Sequence, residues 1–454
     1  MKYSGALTLS LLASVAAAAD RLEVPYQMHR LANGLTVIIH EDHSVPLVAV
    51  NLWYHVGSAR ERPGRTGLAH LFEHLMFEGS KNVPEGAFDR WLEAVGGSNN
   101  ASTSQDRTNY WEDVPANALE LALFLESDRM AHLLDTMTPA RVDGQRDVVK
   151  NERRQSHENT PYGMAEILLA ETLYPEGHPY HWPIIGSMED LTAASNEDIA
   201  DFFRRWYAPG NASLVIAGDV DSAEVRRLVD RWFGDVPAAA PVPPMGTQPV
   251  MLDAEKRVVY EDQVQLPRLY LRWPTPPHLS PADAALDAVG GVLAGGKNSR
   301  LYRRLVYELQ VAQEVYAYQA SAALGSAFDV VVTARAGHTL VEMQALVDEE
   351  IARLRKEPPS ARELERFLNQ REASFLSQLE SLGSFYGKAD QLNAYYFAAS
   401  RPDYFEEDLA RYRTLSPSDV QAAAQEHLGP GRVALSVVPQ GHLELALTDS
   451  QVRR

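Results

Sequence analysis

One stretch of this chain is written twice. Asp198-Ile199 opens an amphipathic run to Tyr207, followed by Pro209-Gly210 and the apolar segment Leu214–Ala217. Asp419-Val420 opens a similar run to Leu428, followed by Pro430-Gly431 and Leu435–Val438, at a constant offset of 221 residues. A helix, a Pro-Gly turn and a strand recurring at one spacing without a gap indicate a duplicated domain. Any fold for this chain must therefore build two similar cores.

Between the copies lies Ala238-Ala-Ala-Pro-Val-Pro-Pro-Met-Gly-Thr-Gln-Pro249, which has neither helical nor strand periodicity and reads as a semi-rigid linker. The expected division is an N-terminal domain over 20–237, a Pro-rich linker over 238–250 and a homologous C-terminal domain over 251–454. In the first half Leu35–His40, Leu47–His55, Asn99–Thr103 and Thr108–Glu112 alternate like strands. Helical patterns cover Gly67–Phe77, Ala87–Val95, Ala116–Leu133, Pro139–Glu158 and Met164–Leu173. Strand pairs followed by helix clusters place the chain in the α+β class: two homologous domains, each a mainly antiparallel sheet packed with helices.

Composition excludes several functions. With 61 Asp plus Glu against 42 Lys plus Arg, the net charge of −19 repels phosphate backbones, so no nucleic acid is expected as a partner. Its location on the acidic side leaves open a preference for cationic peptides. There is no cysteine, which removes disulfides, thiolate zinc sites and a Cys nucleophile. Residues 1–19 read as a signal peptide: Lys2, an apolar run from Ala6, and Ala17–Ala19 as the cleavage end. No later stretch is apolar enough for a membrane span. A periplasmic or secreted protein, cut after Ala19, is expected.

The chemistry concentrates in Gly67-Leu-Ala-His70-Leu-Phe-Glu73-His74-Leu-Met-Phe, with Thr66 available as a cap and Gly79 as a stop. On a helix His70 and His74 stand at i and i+4, close enough to share a cation, and Glu73 lies at the edge of that face as a proton acceptor. Imidazoles and a carboxylate are costly on so apolar a helix unless something satisfies them. A third ligand is needed. Glu152, on the helical pattern after Val148-Val149, is a candidate, but Arg153 and Arg154 beside it equally allow a solvated, arginine-paired carboxylate. In His178-Pro-Tyr-His181, a loop-like aromatic segment, structural or substrate-lining roles compete with a second metal site.

His70-x-x-Glu73-His74, with 77 residues between His74 and the last residue of Val-Val-Lys-Asn-Glu152, resembles the pitrilysin family of inverted-motif zinc metallopeptidases. The similarity is closest to its bacterial and mitochondrial-processing-peptidase branch. It extends through Gly97–Tyr110, Pro161-Tyr162-Gly163, Gly177–Tyr180 and Gly295–Tyr302, over essentially the whole mature chain. The resemblance implies that His70, His74 and Glu152 bind one Zn²⁺ per chain and that Glu73 activates the water. It also implies that Asn99, Asn100, Ala101, Ser102 and Thr103 form an edge strand onto which an extended peptide substrate adds, with Asn100 holding the peptide backbone.

Two positions depart from the family pattern. Gln145 stands where many relatives carry a supporting glutamate, and two turns before Glu152 it could still make hydrogen bonds around the site. The Arg and Tyr that self-sufficient relatives carry in the second half align with Val306 and Gln313, neither of which donates comparably. Arg300 and Tyr307 have the same separation in a different frame. The pattern resembles the zinc-bearing subunit of two-chain members, so a homologous non-zinc subunit is the implied partner and the isolated chain is expected to be weakly active. The reading is an exported endopeptidase for unfolded peptides. A dedicated processing peptidase and a non-catalytic peptide-binding or assembly subunit remain the alternatives.

Overall fold

The computed structural model describes residues 22–453. The signal-peptide reading of residues 1–19 lies outside the described residues. In the first half, β1 (Gln27–Arg30), β2 (Thr36–Glu41), β3 (Leu47–Tyr54), β4 (Ser98–Thr103), β5 (Thr108–Pro115) and β6 (Ala212–Gly218) form one six-stranded sheet in the order β1-β2-β6-β3-β5-β4. In the second half, β7 (Lys256–Asp262), β8 (Arg268–Thr275), β9 (Ala312–Ala320), β10 (Ser326–Ala334), β11 (Val433–Pro439) and β12 (Gln451–Arg453) form the other, in the order β12-β7-β11-β8-β10-β9. The parallel pairs are β2 with β6, β7 with β11 and β7 with β12; the remaining neighbours run antiparallel. The class is α+β, with two homologous domains.

The written repeat is a structural one. Helix Asn196–Trp206 and strand β6 recur as helix Pro417–His427 and strand β11, each boundary shifted by 221 residues. Even the caps repeat. Ser195 with Asp198 and Ser416 with Asp419 each form a reciprocal capping box, satisfying two otherwise orphaned backbone donors.

Each half also covers the other's sheet. On β3 and β6, Val48, Val50, Leu52, Leu214 and Ile216 face a core shared with the first half's own helices. The alternate residues Ala49, Val215 and Ala217 pack instead against Ala389, Leu392 and Tyr395 from the second half. Period-two alternation explains why β6 is buried at every position: both its faces have a cover. The covering helix, Lys388–Ala399, is fixed by polar bonds, with Trp53 donating to Asp390 at 2.9 Å and Asn393 donating to the Asn51 carbonyl at 2.8 Å. Reciprocally, helix Ala165–Leu173 packs Leu168 and Leu169 onto Val433, Leu435 and Val437 of the second sheet. Glu166 on that helix takes both Nη donors of Arg272, at 2.8 and 2.7 Å.

Residues 237–255 carry no helix or strand. They are nevertheless pinned: Gln248 N–H donates to the Leu324 carbonyl at 2.7 Å, and Arg60 donates to the Pro243 carbonyl at 3.0 Å. One outer edge of the first sheet is β4, which pairs only with β5.

Candidate metal centre

Helix Leu68–Leu75 carries His70, Glu73 and His74, and its apolar residues Leu68, Leu71, Phe72 and Leu75 are buried in the first core. Gly67 precedes it at φ 87°, a left-handed conformation that glycine adopts without steric cost, and it has no room for a side chain against the Ile185 carbonyl. The helix does not use Thr66 as its cap. Glu61, buried, accepts from the N–H groups of Gly67 at 2.9 Å and Ala69 at 2.7 Å, while Thr66 Oγ1 donates to Asp190 at 2.6 Å. Burial pushes the Glu61 carboxyl up to about 8, and its backbone donors oppose the shift. The helix stops at Leu75, one turn before Gly79, whose φ of 90° belongs to the following turn.

The second contributor is helix Pro139–Arg153, started by Thr138, whose hydroxyl accepts from Arg141 N–H at 3.3 Å, and by Pro139 in its first turn. After Arg153 the backbone widens into a π-turn over Arg154–Glu158. The arginines beside Glu152 are engaged elsewhere: Arg153 with Glu158 at 3.1 Å and with the Gly186 carbonyl, Arg154 with Asn151 at 2.7 Å. Glu152 faces the histidines instead, with Oε2 at 3.2 Å from His74 Nε2 and Oε1 at 3.7 Å from His70 Nε2.

One ligand atom from each of His70, His74 and Glu152 lies within 4.8 Å of the others, and among the described residues this is the one such cluster of three. Tetrahedral zinc with ligands at about 2.0–2.2 Å separates its ligand atoms by roughly 3.4 Å, so two imidazoles and a carboxylate so placed fit that ion. Burial, with His74 beside it, lowers His70 to about 4, which keeps this ring neutral at ordinary pH, the form that ligates. The hydrogen bond from His74 holds the Glu152 carboxyl below the usual range, with His70 adding to the effect.

Glu73 stands 4.0 Å from His70 Nε2 and accepts a hydrogen bond from Thr103 Oγ1 at 2.5 Å. Burial raises its carboxyl and the Thr103 hydroxyl opposes the rise. Thr103 thus ties the edge strand to Glu73. The rest of the strand is occupied locally: Asn99 donates to Asp89 at 3.1 Å, Asn100 accepts from the Ala101 N–H at 2.8 Å, and Ser102 donates to Asn109 at 2.5 Å. Gln145 donates to Glu78 at 2.6 Å and, among the described residues, makes no hydrogen bond to His70, His74 or Glu152. It braces the end of the motif helix rather than the ligands. His178 stacks on Tyr174 and contacts the Gln248 carbonyl at 3.0 Å, and His181 contacts the Tyr174 carbonyl at 2.8 Å, so each ring is engaged by the local packing.

A cavity of about 440 Å³ opens over the cluster, lined by Glu73, Thr103, Gln105 and Glu152 and, opposite, by His157 and Trp182. His157 was not singled out by the sequence; it rides on the π-turn, which no residue pattern announces. Its Nδ1 lies 3.2 Å from the Gly163 carbonyl.

The family model described as "Insulinase (Peptidase family M16)" matches residues 36–180, and "Peptidase M16 inactive domain" matches residues 193–371. This chain belongs to the M16 peptidase family. The zinc protease PqqE of Helicobacter pylori is 31% identical over 408 residues, covering 87% of this chain and 89% of that protein. A crystal structure of a protease from Helicobacter pylori superposes with a TM-score of 0.85 at 28% identity, covering 92% of this chain and 100% of the other. The first half of the periplasmic protease PqqL from Escherichia coli shares the fold, with a TM-score of 0.73 at 20% identity over 93% of this chain and 94% of that one. His70, Glu73, His74 and Glu152 fall within the first match, whereas the inactive-domain match runs from the end of the first half into the second.

Proposed function

We propose that this chain is an exported zinc-dependent endopeptidase acting on unfolded peptides or short polypeptides. The observation that carries the reading is the convergence of Glu152 on His70 and His74, 3.7 and 3.2 Å away, from a separate helix. One zinc ion held by these three residues would supply Lewis acidity toward a water and the scissile carbonyl. The protein's own part is proton handling and positioning. Glu73, at the edge of the cluster, takes a proton from the attacking water in its carboxylate form and returns it to the leaving amine. Thr103 holds the carboxylate's orientation and favours its charged form. The open edge of β4 supports addition of an extended peptide as a further strand, so main-chain bonds give affinity with little sequence demand.

Export is supported by the sequence of residues 1–19 and by a relative described as periplasmic. A homologous non-zinc subunit is supported by the missing donor pair. Val306 and Gln313 cannot replace Arg and Tyr, Arg300 is held by Glu363 at 2.7 and 3.1 Å, and Tyr307 is 72% exposed. The test is turnover of an unrelated peptide series by wild type and Glu73→Gln, each alone and with a homologous subunit. Retained metal with lost turnover in the mutant is expected. Undiminished turnover in the mutant would contradict the role of Glu73.

A further inference from the structure

Beyond the last residue of β4, a second cavity of about 470 Å³ lies between the two halves of the molecule. Its walls come from the first sheet (Trp53, Arg60, Arg107), from the linker (Met245) and from the second half (His278, Leu324). Gln105 lines both this cavity and the one over the metal cluster, so the two adjoin across the turn after Thr103.

The charge inside is opposite to that of the protein. Arg60 and Arg107 line the cavity, and among the described residues neither forms an ion pair. Arg60 donates to the Pro243 carbonyl at 3.0 Å. Arg107 donates to the Ser102 carbonyl at 2.9 Å and hydroxyl at 2.8 Å, and lies 5.1 Å from the Trp53 ring centre. All of these partners are neutral. The one carboxylate on the wall, Asp106, acts on both arginines at a distance but pairs with neither among the described residues; it accepts from Tyr180 Oη at 2.6 Å and from the Ala323 N–H at 3.0 Å. Two more ionisable rings line the space: His55, with Nε2 at 3.0 Å from Ser213 Oγ, and His278, whose ring makes no hydrogen bond among the described residues.

In a chain with 61 acids, two half-buried guanidinium groups in direct contact with no carboxylate among the described residues are unusual, although Asp106 acts on both and Asp390 and Glu73 on Arg107 from further off. Burial lowers the pKa of both, as it does for His55 and His278. Every other described arginine that is displaced moves upward, by virtue of its acidic or phenolic neighbours. The remaining wall combines Trp53, Met245, Leu324 and Phe397 with the polar Ser104, Gln105 and Ser321.

We propose that this cavity is a carboxylate subsite, taking an acidic side chain or the chain-terminal carboxylate of a peptide laid along β4, with an apolar neighbour against Trp53 and Phe397. The proposal rests on the peptidase reading above for the path of the peptide. It adds a selectivity that the overall acidity of the chain would not indicate: acidic peptides are favoured at this one place.

The test is binding of labelled alanine-rich peptides to the zinc-loaded Glu73→Gln protein by fluorescence anisotropy. One Glu is walked through the sequence in amidated peptides, each compared with its Gln counterpart, and a free C-terminal acid is compared with its amide. A hydrogen-bonded charge predicts roughly tenfold tighter binding for a Glu at one or two positions, or for the free acid. The first outcome assigns a side chain and the second the chain end. In Arg60→Gln the advantage disappears, and in Arg60→Lys it persists, which a merely structural role of Arg60 would not produce. Equal binding of acid and amide at every position, or no binding of any peptide, overturns the subsite. Wild-type cleavage of peptides that show no such preference would leave the peptidase reading standing without it. A preference without any cleavage would leave the subsite and remove the peptidase reading.

Discussion

Thr103 offers the sharpest perturbation of the proposed proton acceptor. Its hydroxyl donates to Glu73 at 2.5 Å, within the range of a hydrogen bond to an ionised oxygen. Such bonds are worth about 1.5–3 kcal/mol. Thr103→Val keeps the β-branched shape that suits a strand and removes only the donor. The charged form of Glu73 loses the bond, whereas its neutral form loses little. At 1.36 kcal/mol per unit, the carboxyl rises by about one to two pH units. Because the acceptor must be ionised, the acid limb of the kcat/KM profile moves up by that amount, and the plateau above it is retained. The assay is the pH profile of a quenched fluorescent peptide, with metal content measured in parallel. Thr103→Ser should leave the limb in place. An unmoved limb in Thr103→Val, with metal and fold intact, would refute the assignment of Glu73 as the titrating base.

Other consequences can be checked directly. Glu61→Ala strands the N–H groups of Gly67 and Ala69 at the buried start of the motif helix, and should destabilise the protein by about 2–4 kcal/mol, read by denaturant unfolding. Asp42 is held well below its usual range by Lys388, 2.6 Å away and in the other half of the chain. A depressed carboxyl contributes stability that is present above its unfolded pKa and lost as pH falls through the folded one, so Lys388→Met should move acid unfolding to higher pH. Tyr307→Phe and Arg300→Gln should leave peptide turnover within about twofold, since Tyr307 is exposed and Arg300 is spent on Glu363; a large loss in either would restore them as the missing donor pair.

What the sequence revealed was what local pattern encodes. The 221-residue repeat was legible because amphipathic spacing, Pro-Gly turns and short apolar runs act within a few residues, and its boundaries recur in the structure. The class follows from the same patterns. Exchange of covering helices was not legible, because Leu392 and Leu168 look like any core-facing leucine, and only tertiary placement says which sheet they cover. The histidine pair could be read from helical spacing alone. Glu152 could not: from its neighbours it was as readily an arginine-paired surface carboxylate, and only family resemblance promoted it. Glu61 was missed because a carboxylate capping a helix six residues downstream leaves no periodic trace. Gln145 was placed on the correct face but reaches Glu78, since the motif helix ends beside it. Arg60 and Arg107 became visible as unpaired only once both halves of the molecule enclosed them.

The central claim is that two imidazoles and one distant carboxylate share an ion. Zinc content of the purified protein, by elemental analysis after dialysis, tests it most directly in wild type, Glu73→Gln, His74→Ala and Glu152→Gln. About one zinc per chain in the first two and a marked loss in the last two, with all four folded, is the result the geometry requires. Zinc retained undiminished after both ligand substitutions, or absent from the zinc-supplied wild type, would contradict it.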